Sequence, residues 1–436
     1  MRYLKKAPPQ QEQDLGKIRE TVAEMLASIE RDGDDAVRRY SERLDKWNPP
    51  SFRLFPDDIR EIEKKLPSTF VEDAKFSQAQ VRNFAQLQFD HINDFESETL
   101  PGVWLGQKTI PVRSVGAYVP GGRYPMLSSA PMSVIPAKVA GVERVAATTP
   151  PAGAEGPNPY TIYSMYLAGA DEVYCLGGVQ AIGALAFGTE TIEGADMIVG
   201  PGNAYVAEAK RQLFGRVGID LVAGPSEILV IADAHADPAI VAADLLAQAE
   251  HGPTSPAWLI TTSEELGRNV LTEIDRQLQE LSTRDVTTQS WGNFGEVVVV
   301  ESDEEAVQVA DAYAPEHLEV QTEDWPWYLD HLHNYGSLFL GEMATVAYGD
   351  KTVGTNHILP TVRNARFTGG IWVGKFLKTC TYQHLDLRGT EAIAPVVSRQ
   401  SALEGFAAHK ASADRRLVKY GLQVPQAEEA MSGTSS

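Results

Sequence analysis

The stretch Asp196-Met-Ile-Val-Gly200-Pro-Gly202-Asn203, followed by a helix-like run over residues 204–214, carries the fold in miniature. A short apolar run, a glycine–proline turn and a segment of helical period read as strand, turn and helix. The same texture surrounds it. Arg113-Ser-Val-Gly-Ala-Tyr-Val-Pro120-Gly-Gly122 reads as a strand entering a turn, and Val142-Glu-Arg-Val-Ala-Ala-Thr-Thr149 as another, closed by Pro150-Pro151. Glu172-Val-Tyr-Cys-Leu-Gly177-Gly178 precedes a helix-like run over 179–187. Glu227-Ile-Leu-Val-Ile-Ala-Asp233 and Glu296-Val-Val-Val-Val-Glu301 are further strands, each followed by a helical pattern. Parallel strands need crossovers, usually helices, so this repetition predicts an α/β protein with parallel sheets. Residues 14–100 instead carry charged amphipathic helical patterns, broken near Asn48-Pro49-Pro50 and Leu66-Pro67, and the last dozen residues read as a frayed tail.

Bulk properties narrow the function classes. A chain of 436 residues with 43% hydrophobic content can bury large cores and favours two sheets over one. No 18-residue apolar run and no charged-then-apolar leader occur, so a soluble protein is expected. Cys175 and Cys380 are the only two cysteines, too few for a disulfide framework or a thiolate zinc cage, and they fit a reducing cytoplasm. A net charge of −21, spread along the chain, disfavours nucleic acid and anionic membrane partners and makes any local cationic pocket conspicuous.

Ligands of parallel sheets bind beyond the carboxyl ends of strands, where these glycine turns collect. Gly200-Pro-Gly202-Asn-Ala-Tyr205 lacks the third glycine of a dinucleotide fingerprint; it is either a phosphate cradle or a tight turn. Ala239-Ile-Val-Ala-Ala-Asp-Leu-Leu-Ala-Gln248-Ala-Glu-His251-Gly252 places Gln248 and His251 three apart, on one helix face in its last turn. They can converge on one ion, or His251 can simply cap the helix C-terminus. Pro315-Glu316-His317-Leu318 sets a carboxylate beside an imidazole, and on a loop or strand the two can serve different protons. Gly349-Asp350 precedes Gly354-Thr-Asn-His357, and Glu404 stands five residues before His409 in a C-terminal helical stretch. His331 and His333 read as loop or surface residues, and His91, His235 and His384 as structural or solvated.

Taken in order and with their gaps, Gly116-Ala-Tyr-Val-Pro-Gly-Gly122, Gly200-Pro-Gly-Asn203, Gly224-Pro-Ser-Glu227, Gln248-Ala-Glu-His-Gly-Pro253, Pro315-Glu-His-Leu318 and Gly354-Thr-Asn-His357 resemble the histidinol dehydrogenase family over about residues 15 to 420. The resemblance implies two Rossmann-like parallel-sheet domains with small helical terminal extensions, swapped across an intertwined homodimer. The implied division is an N-terminal extension over 1–20, a first domain over 21–119 plus 229–370, a second, cofactor-side domain over 120–228, and a C-terminal extension over 371–436 swapped onto the partner. Zinc and NAD are the implied cofactors, and the reaction takes an alcohol through an aldehyde to a carboxylate with two hydride transfers. Carried over by motif, the metal ligands are Gln248, His251, Asp350 and His409, a nitrogen and oxygen set that suits a catalytic zinc but also tolerates manganese. His317 accepts the alcohol proton and Glu316 activates water. Ser226, His357 and Glu404 fall at substrate positions, with Glu404 and His409 supplied by the partner subunit. Tyr118, Gln180 and Asn203 fall at cofactor positions.

Two departures bear on the substrate. Arg123, followed by Tyr124-Pro125, stands after the Pro-Gly-Gly turn where a small residue is usual. Further on, Arg366-Phe-Thr-Gly-Gly-Ile-Trp372-Val-Gly-Lys375-Phe-Leu-Lys378-Thr-Cys380 replaces a run of small residues. An arginine in a pocket wall suits an anionic head group and repels cationic histidinol. The chain thus looks like the branch that oxidises 2,3-dihydroxypropane-1-sulfonate to 3-sulfolactate; L-histidinol is the alternative substrate, and an Arg123 paired with a surface acid is the alternative role. A zinc-binding scaffold without turnover is a third reading, opposed by the presence of Glu316, His317 and all four ligand-type residues.

Overall fold

The computed structural model describes residues 1–9, 15–121 and 125–425. It divides into two compact units, Met1–Phe89 with Pro111–Phe376, and Asp90–Ile110 with Leu377–Ser436. The chain opens with two short strands, β1 (Arg2–Lys5) and β2 (Arg53–Leu54), separated by the long helix Gly16–Asp45. β3 (Phe95–Leu100) and β4 (Val103–Pro111) follow. Then come two runs of strands linked by crossovers. The first is β5 (Ser114–Tyr118), β6 (Arg144–Thr149), β7 (Glu172–Cys175), β8 (Met197–Val199) and β9 (Gly218–Ile219). The second is β10 (Ile228–Ala232), β11 (Ala257–Thr261), β12 (Gly295–Val299), β13 (His317–Gln321) and β14 (Ser337–Leu340), after which β15 (Leu377–Leu385) begins the C-terminal segment.

The two runs build two six-stranded sheets of one topology, ordered β2-β7-β6-β5-β8-β9 and β1-β12-β11-β10-β13-β14. In each, the first strand of the run is central, the order reverses beside it, and an N-terminal strand pairs antiparallel with the third. All other pairings within these two sheets are parallel. The sequence explains why these strands are internal. Ile228-Leu-Val-Ile-Ala232 is buried at every position, with Ile228 and Val230 in one core cluster and Leu229 and Ile231 in another. A strand covered on both faces must be apolar throughout, and each such side chain contributes about 1.5–3 kcal/mol on burial. β13 departs from that rule. Leu318 and Val320 enter the core on one face, while His317, Glu319 and Gln321, equally buried, share the other.

The expected elements fall close to their predicted places, but the domain division differs. β5 lies inside the span assigned to the first domain, yet it is the centre of the sheet formed by 120–228, held by parallel ladders to β6 and β8. β1, inside the span expected as an N-terminal extension, hydrogen-bonds to β12. The second unit takes residues 90–110 as well as the C-terminal segment. It is a three-stranded sheet, β15-β4-β3, with the helices Leu387–Leu403 and Ala407–Lys419 packed on each other through Ala394, Ala413 and Leu417. Among the described residues, no helix is long and apolar enough to cross a membrane. The expected tail over 426–436 lies outside the described residues.

Candidate active site

Within the first unit, the carboxyl ends of one sheet and the amino ends of the other meet at a small cleft. Met126, Ser129 and Pro201 line it from the first sheet; Ser226, His251, Glu316, His317, Asp350 and His357 line it from the second. Its volume is about 100 Å³. Ligands of parallel sheets are expected beyond strand carboxyl ends; in this cleft one edge is of that kind and the other is not. Ser226 immediately precedes β10, and Glu316 and His317 stand at the start of β13, so the ionisable groups sit at amino ends.

One hydrogen-bond chain orders this edge. The Gln248 amide donates to Ser226 Oγ (2.7 Å), which donates to Glu316 Oε2 (2.6 Å); the same carboxyl oxygen accepts from the Glu227 N–H (2.9 Å). Because Gln248 spends its NH₂ group there, its Oε1 is left buried and unpartnered. Such an atom costs on the order of 1–3 kcal/mol unless a ligand takes it. His251 stands one turn on, with Nδ1 against the Ala247 carbonyl (3.0 Å), which fixes the proton on Nδ1 and leaves Nε2 as a bare donor atom. Nε2 lies 3.9 Å from Asp350 Oδ2. Two neutral donors and one carboxylate, one of them orphaned, fit a zinc ion. They do not enclose it: among the described residues no three His, Cys, Asp or Glu side chains gather closely enough to hold a metal by themselves.

His317 is oriented in the same way. Nδ1 faces the Glu227 carbonyl at 3.0 Å, so Nε2 carries the lone pair, and it is buried without a partner. Burial holds this imidazole below its ordinary pKa, keeping it neutral and able to accept a proton. Burial pushes the Glu316 carboxyl the other way, to about 8, against the pull of Ser226 and the Glu227 N–H. Glu227 is raised to about 8 as well, by burial and then by the field of Glu316. Burial also works to raise Asp350, but His357, His317, Lys351 and His251 around it prevail and hold it below the usual value. The site thus keeps one stable carboxylate beside a carboxyl poised to gain or lose a proton near neutrality. His357 has both nitrogens engaged, Nε2 with Ser129 Oγ (3.0 Å) and Nδ1 with the Asp350 carbonyl (3.2 Å).

The opposing edge is made of turns. Gly200 adopts φ +108°, and a Cβ there would collide with the Tyr118 carbonyl. A buried Lys210–Asp220 ion pair braces the turn, Lys210 donating to the Gly200 carbonyl (2.9 Å) and the Gly200 N–H to Asp220 (2.8 Å). Asn203 caps the helix Ala204–Leu213 by accepting from the Tyr205 and Val206 N–H groups. Tyr118 Oη accepts from the Gly178 N–H (3.2 Å), and burial pushes its phenol up to about 12. Gln180 donates to Asp45 (2.7 Å), while its Oε1 is buried and unpartnered. Tyr118, Gln180 and Asn203 thus gather at the carboxyl ends of β5, β7 and β8, beside the reversal of strand order where parallel sheets bind ligands.

The first unit brings together Ser226, Gln248, His251, Glu316, His317, Asp350 and His357. Glu404 and His409 lie in the second, at the end of the helix Leu387–Leu403 and in the first turn of Ala407–Lys419, both exposed. Arg123 lies outside the described residues. Among the described residues no Lys or Arg lines the cleft, Arg366 being exposed on a 3₁₀ turn. A larger cavity of about 680 Å³, lined by Trp258, Phe294 and Tyr313, is mostly apolar and shares only Glu227 with this network. Sequence reasoning missed Glu227, Ser129 and Glu319. Glu227 was visible in the Gly224-Pro-Ser-Glu227 motif, and Glu319 as a charge alternating with His317 in an apolar strand; Ser129 had no local signal.

The chain is similar to known proteins along nearly its whole length. The histidinol dehydrogenase family profile matches residues 8–417. A histidinol dehydrogenase homolog of Shouchella clausii is 54% identical over 421 residues, 96% of this chain and 99% of that protein. The sulfopropanediol 3-dehydrogenase of Ruegeria pomeroyi is 44% identical over 420 residues, 96% of each chain. The crystal structure of histidinol dehydrogenase from Elizabethkingia anophelis superposes with a TM-score of 0.89 at 36% identity, covering 95% of both chains. With a profile and relatives that span nearly its whole length, this chain is a member of the histidinol dehydrogenase family of oxidoreductases.

Proposed function

We propose that this protein is a zinc- and NAD-dependent dehydrogenase that oxidises a primary alcohol to a carboxylate in two steps, with (R)-2,3-dihydroxypropane-1-sulfonate as the substrate and 3-sulfolactate as the product. The observation that carries the chemistry is the ordered chain Gln248–Ser226–Glu316 beside a neutral, unpartnered His317 Nε2. Gln248, His251 and Asp350 would hold zinc, with His409 of the partner's swapped segment completing the set. When bound, zinc would supply a Lewis acid that positions the substrate, and NAD+ would supply the hydride acceptor for each oxidation.

His317 accepts the hydroxyl proton of the alcohol in the first oxidation, its Nδ1 held by the Glu227 carbonyl so that the imidazole need not reorient. Glu316 takes a proton from water attacking the aldehyde. A carboxylate whose conjugate acid has a pKa near 8 is a far stronger base than an ordinary one. The hydrate, formed as its monoanion, loses the second hydride to give the acid, which leaves as the carboxylate; its proton and those held by His317 and Glu316 pass to solvent. Ser226 keeps Glu316 and Gln248 in fixed relation while the charge on Glu316 changes. Tyr118, Gln180 and Asn203 form the cofactor edge, where Gln180 Oε1 is a free acceptor. His357 faces substrate from the cleft wall, and Glu404 does so from the partner subunit in a homodimer with shared sites.

Arg123 and the sulfopropanediol relative support the sulfonate, whose anion an arginine can hold by paired hydrogen bonds. A specific observation favours a second reading. The described lining offers Glu316 and Asp350 but no Lys or Arg, which suits cationic L-histidinol. NADH formation by the zinc-loaded protein with each substrate decides between them. Turnover of the sulfonate alone is the expected result, with Arg123→Ala raising its KM; turnover of histidinol alone would overturn the sulfonate reading.

A further inference from the structure

Beneath the cleft, away from the proposed reacting atoms, lies a second polar cluster. Glu319 is fully buried on β13, on the same strand face as His317. Its Oε1 accepts from the Val346 N–H (2.8 Å) and its Oε2 from the Gln321 amide (3.1 Å). That amide also donates to Asp244 Oδ2 (2.8 Å), and Asp244 Oδ1 accepts from Thr345 Oγ (2.9 Å). Glu319 and Asp244 are hydrogen-bonded to each other. The partners are a carboxyl, an amide, a hydroxyl and a backbone N–H, and none is a cation.

The elements joined here are the ones that carry the proposed ligands. Asp244 lies on the helix Pro238–Ala249 one turn before Gln248, on the face that also presents His251. Thr345 caps the short helix Val346–Lys351, and Val346 is its first residue; Asp350 sits one turn later. A six-residue helix has little stability of its own, so its position must come from what grips it.

We infer that Asp244, Glu319, Gln321 and Thr345 form a buried clasp that sets the Val346–Lys351 helix against β13 and the Pro238–Ala249 helix, and thereby aims Asp350 at Gln248 and His251. They are positioning residues, and the inference rests on the zinc reading of the site. Two touching carboxyls without a cation hold one proton between them. Burial, followed by the field of Asp244, raises Glu319 well above its ordinary pKa, so Glu319 is the acid and donates to the Asp244 carboxylate. A glutamine reproduces that neutral donor and still accepts from Val346, losing only the acceptor that Glu319 Oε2 offers the Gln321 amide. A leucine fills the space but leaves the Val346 N–H and Asp244 unmatched.

The test uses the full-length protein and two readouts: zinc affinity by chelator competition, and hydrogen exchange at the Val346 amide without metal. Glu319→Leu should weaken zinc binding roughly 10- to 100-fold, as loss of an outer-shell partner typically does, and speed exchange at Val346. Glu319→Gln gives up only the Gln321 bond and should stay far closer to wild type in both. A folded Glu319→Leu protein with wild-type affinity and protection would overturn the inference, as would a Glu319→Gln protein as impaired as the leucine variant. If Glu319→Leu does not fold, Thr345→Val removes one arm of the clasp; it should show weaker zinc binding and faster exchange, and wild-type behaviour would count against the clasp. Should wild type itself bind no zinc, the zinc reading fails, and exchange at Val346 still decides whether the clasp exists.

Discussion

The two six-stranded sheets share one strand order but do opposite work at the edges that meet. The first presents carboxyl ends lined by turns: Gly200 at φ +108°, the Asn203 cap and the N-terminus of the helix Gly178–Phe187. The second presents amino ends, and its groups are ionisable side chains on β13 and on the helices that return to it. Backbone N–H groups at helix N-termini suit phosphates and do not titrate, whereas proton transfer needs side chains with adjusted pKa values. Duplicated topology thus supplies two kinds of edge according to which end of the strands is used.

The largest effect should come from the side-chain edge. His317→Asn should slow alcohol oxidation by about 10²–10⁴-fold, the usual contribution of a positioned base, with NAD+ affinity measured by titration unchanged. Equal damage to NAD+ binding would break the division between the edges. Next in size is a test of the swapped segment. His251→Asn and His409→Asn should each lose most of their activity alone. Dimers re-formed from a mixture should recover roughly a quarter of wild-type activity, because half are mixed and each of those keeps one intact site; no recovery would place both residues in sites of a single subunit.

The turn edge should respond more mildly. Gly200→Ala forces an L residue into strained backbone and against the Tyr118 carbonyl, at a cost on the order of 1–3 kcal/mol. The KM for NAD+ should rise while zinc affinity stays constant, and the reverse pattern would reassign this turn. A further test concerns pH and stability rather than turnover. Glu227 is raised from an ordinary 4.5 to about 8 in the folded state. Its contribution to stability is fully present below pH 4.5 and is lost as pH rises through about 8, since the unfolded chain releases that proton more readily. Glu227→Gln should therefore flatten the fall in Tm between pH 5 and pH 8, and an unchanged slope would show that Glu227 ionises normally.

What the sequence makes legible follows from how local each signal is. Strands such as Ile228-Leu-Val-Ile-Ala232 and turns such as Gly200-Pro-Gly202 announce themselves within a few residues, because burial on both faces and positive φ each select residue types locally. The pairing of Gln248 with His251 is likewise written in helical spacing. Sheet membership is not. Nothing near Ser114 indicates that β5 pairs with β6 and β8, or that β1 reaches β12. A lone acid such as Glu227 or Glu319 looks solvated until its surroundings are known. Only the fold shows that Glu319 is enclosed with Asp244 and without a cation.

In the proposed reaction Glu316 and His317 divide the chemistry, the imidazole serving the alcohol and the carboxylate the water. The most direct measurement is the number of NADH formed per molecule of alcohol consumed, by wild type and by Glu316→Gln, with an aldehyde trap present in the variant's assay. Wild type should yield two, and Glu316→Gln one together with trapped aldehyde. Two NADH from the Glu316→Gln protein at an undiminished rate would contradict the account.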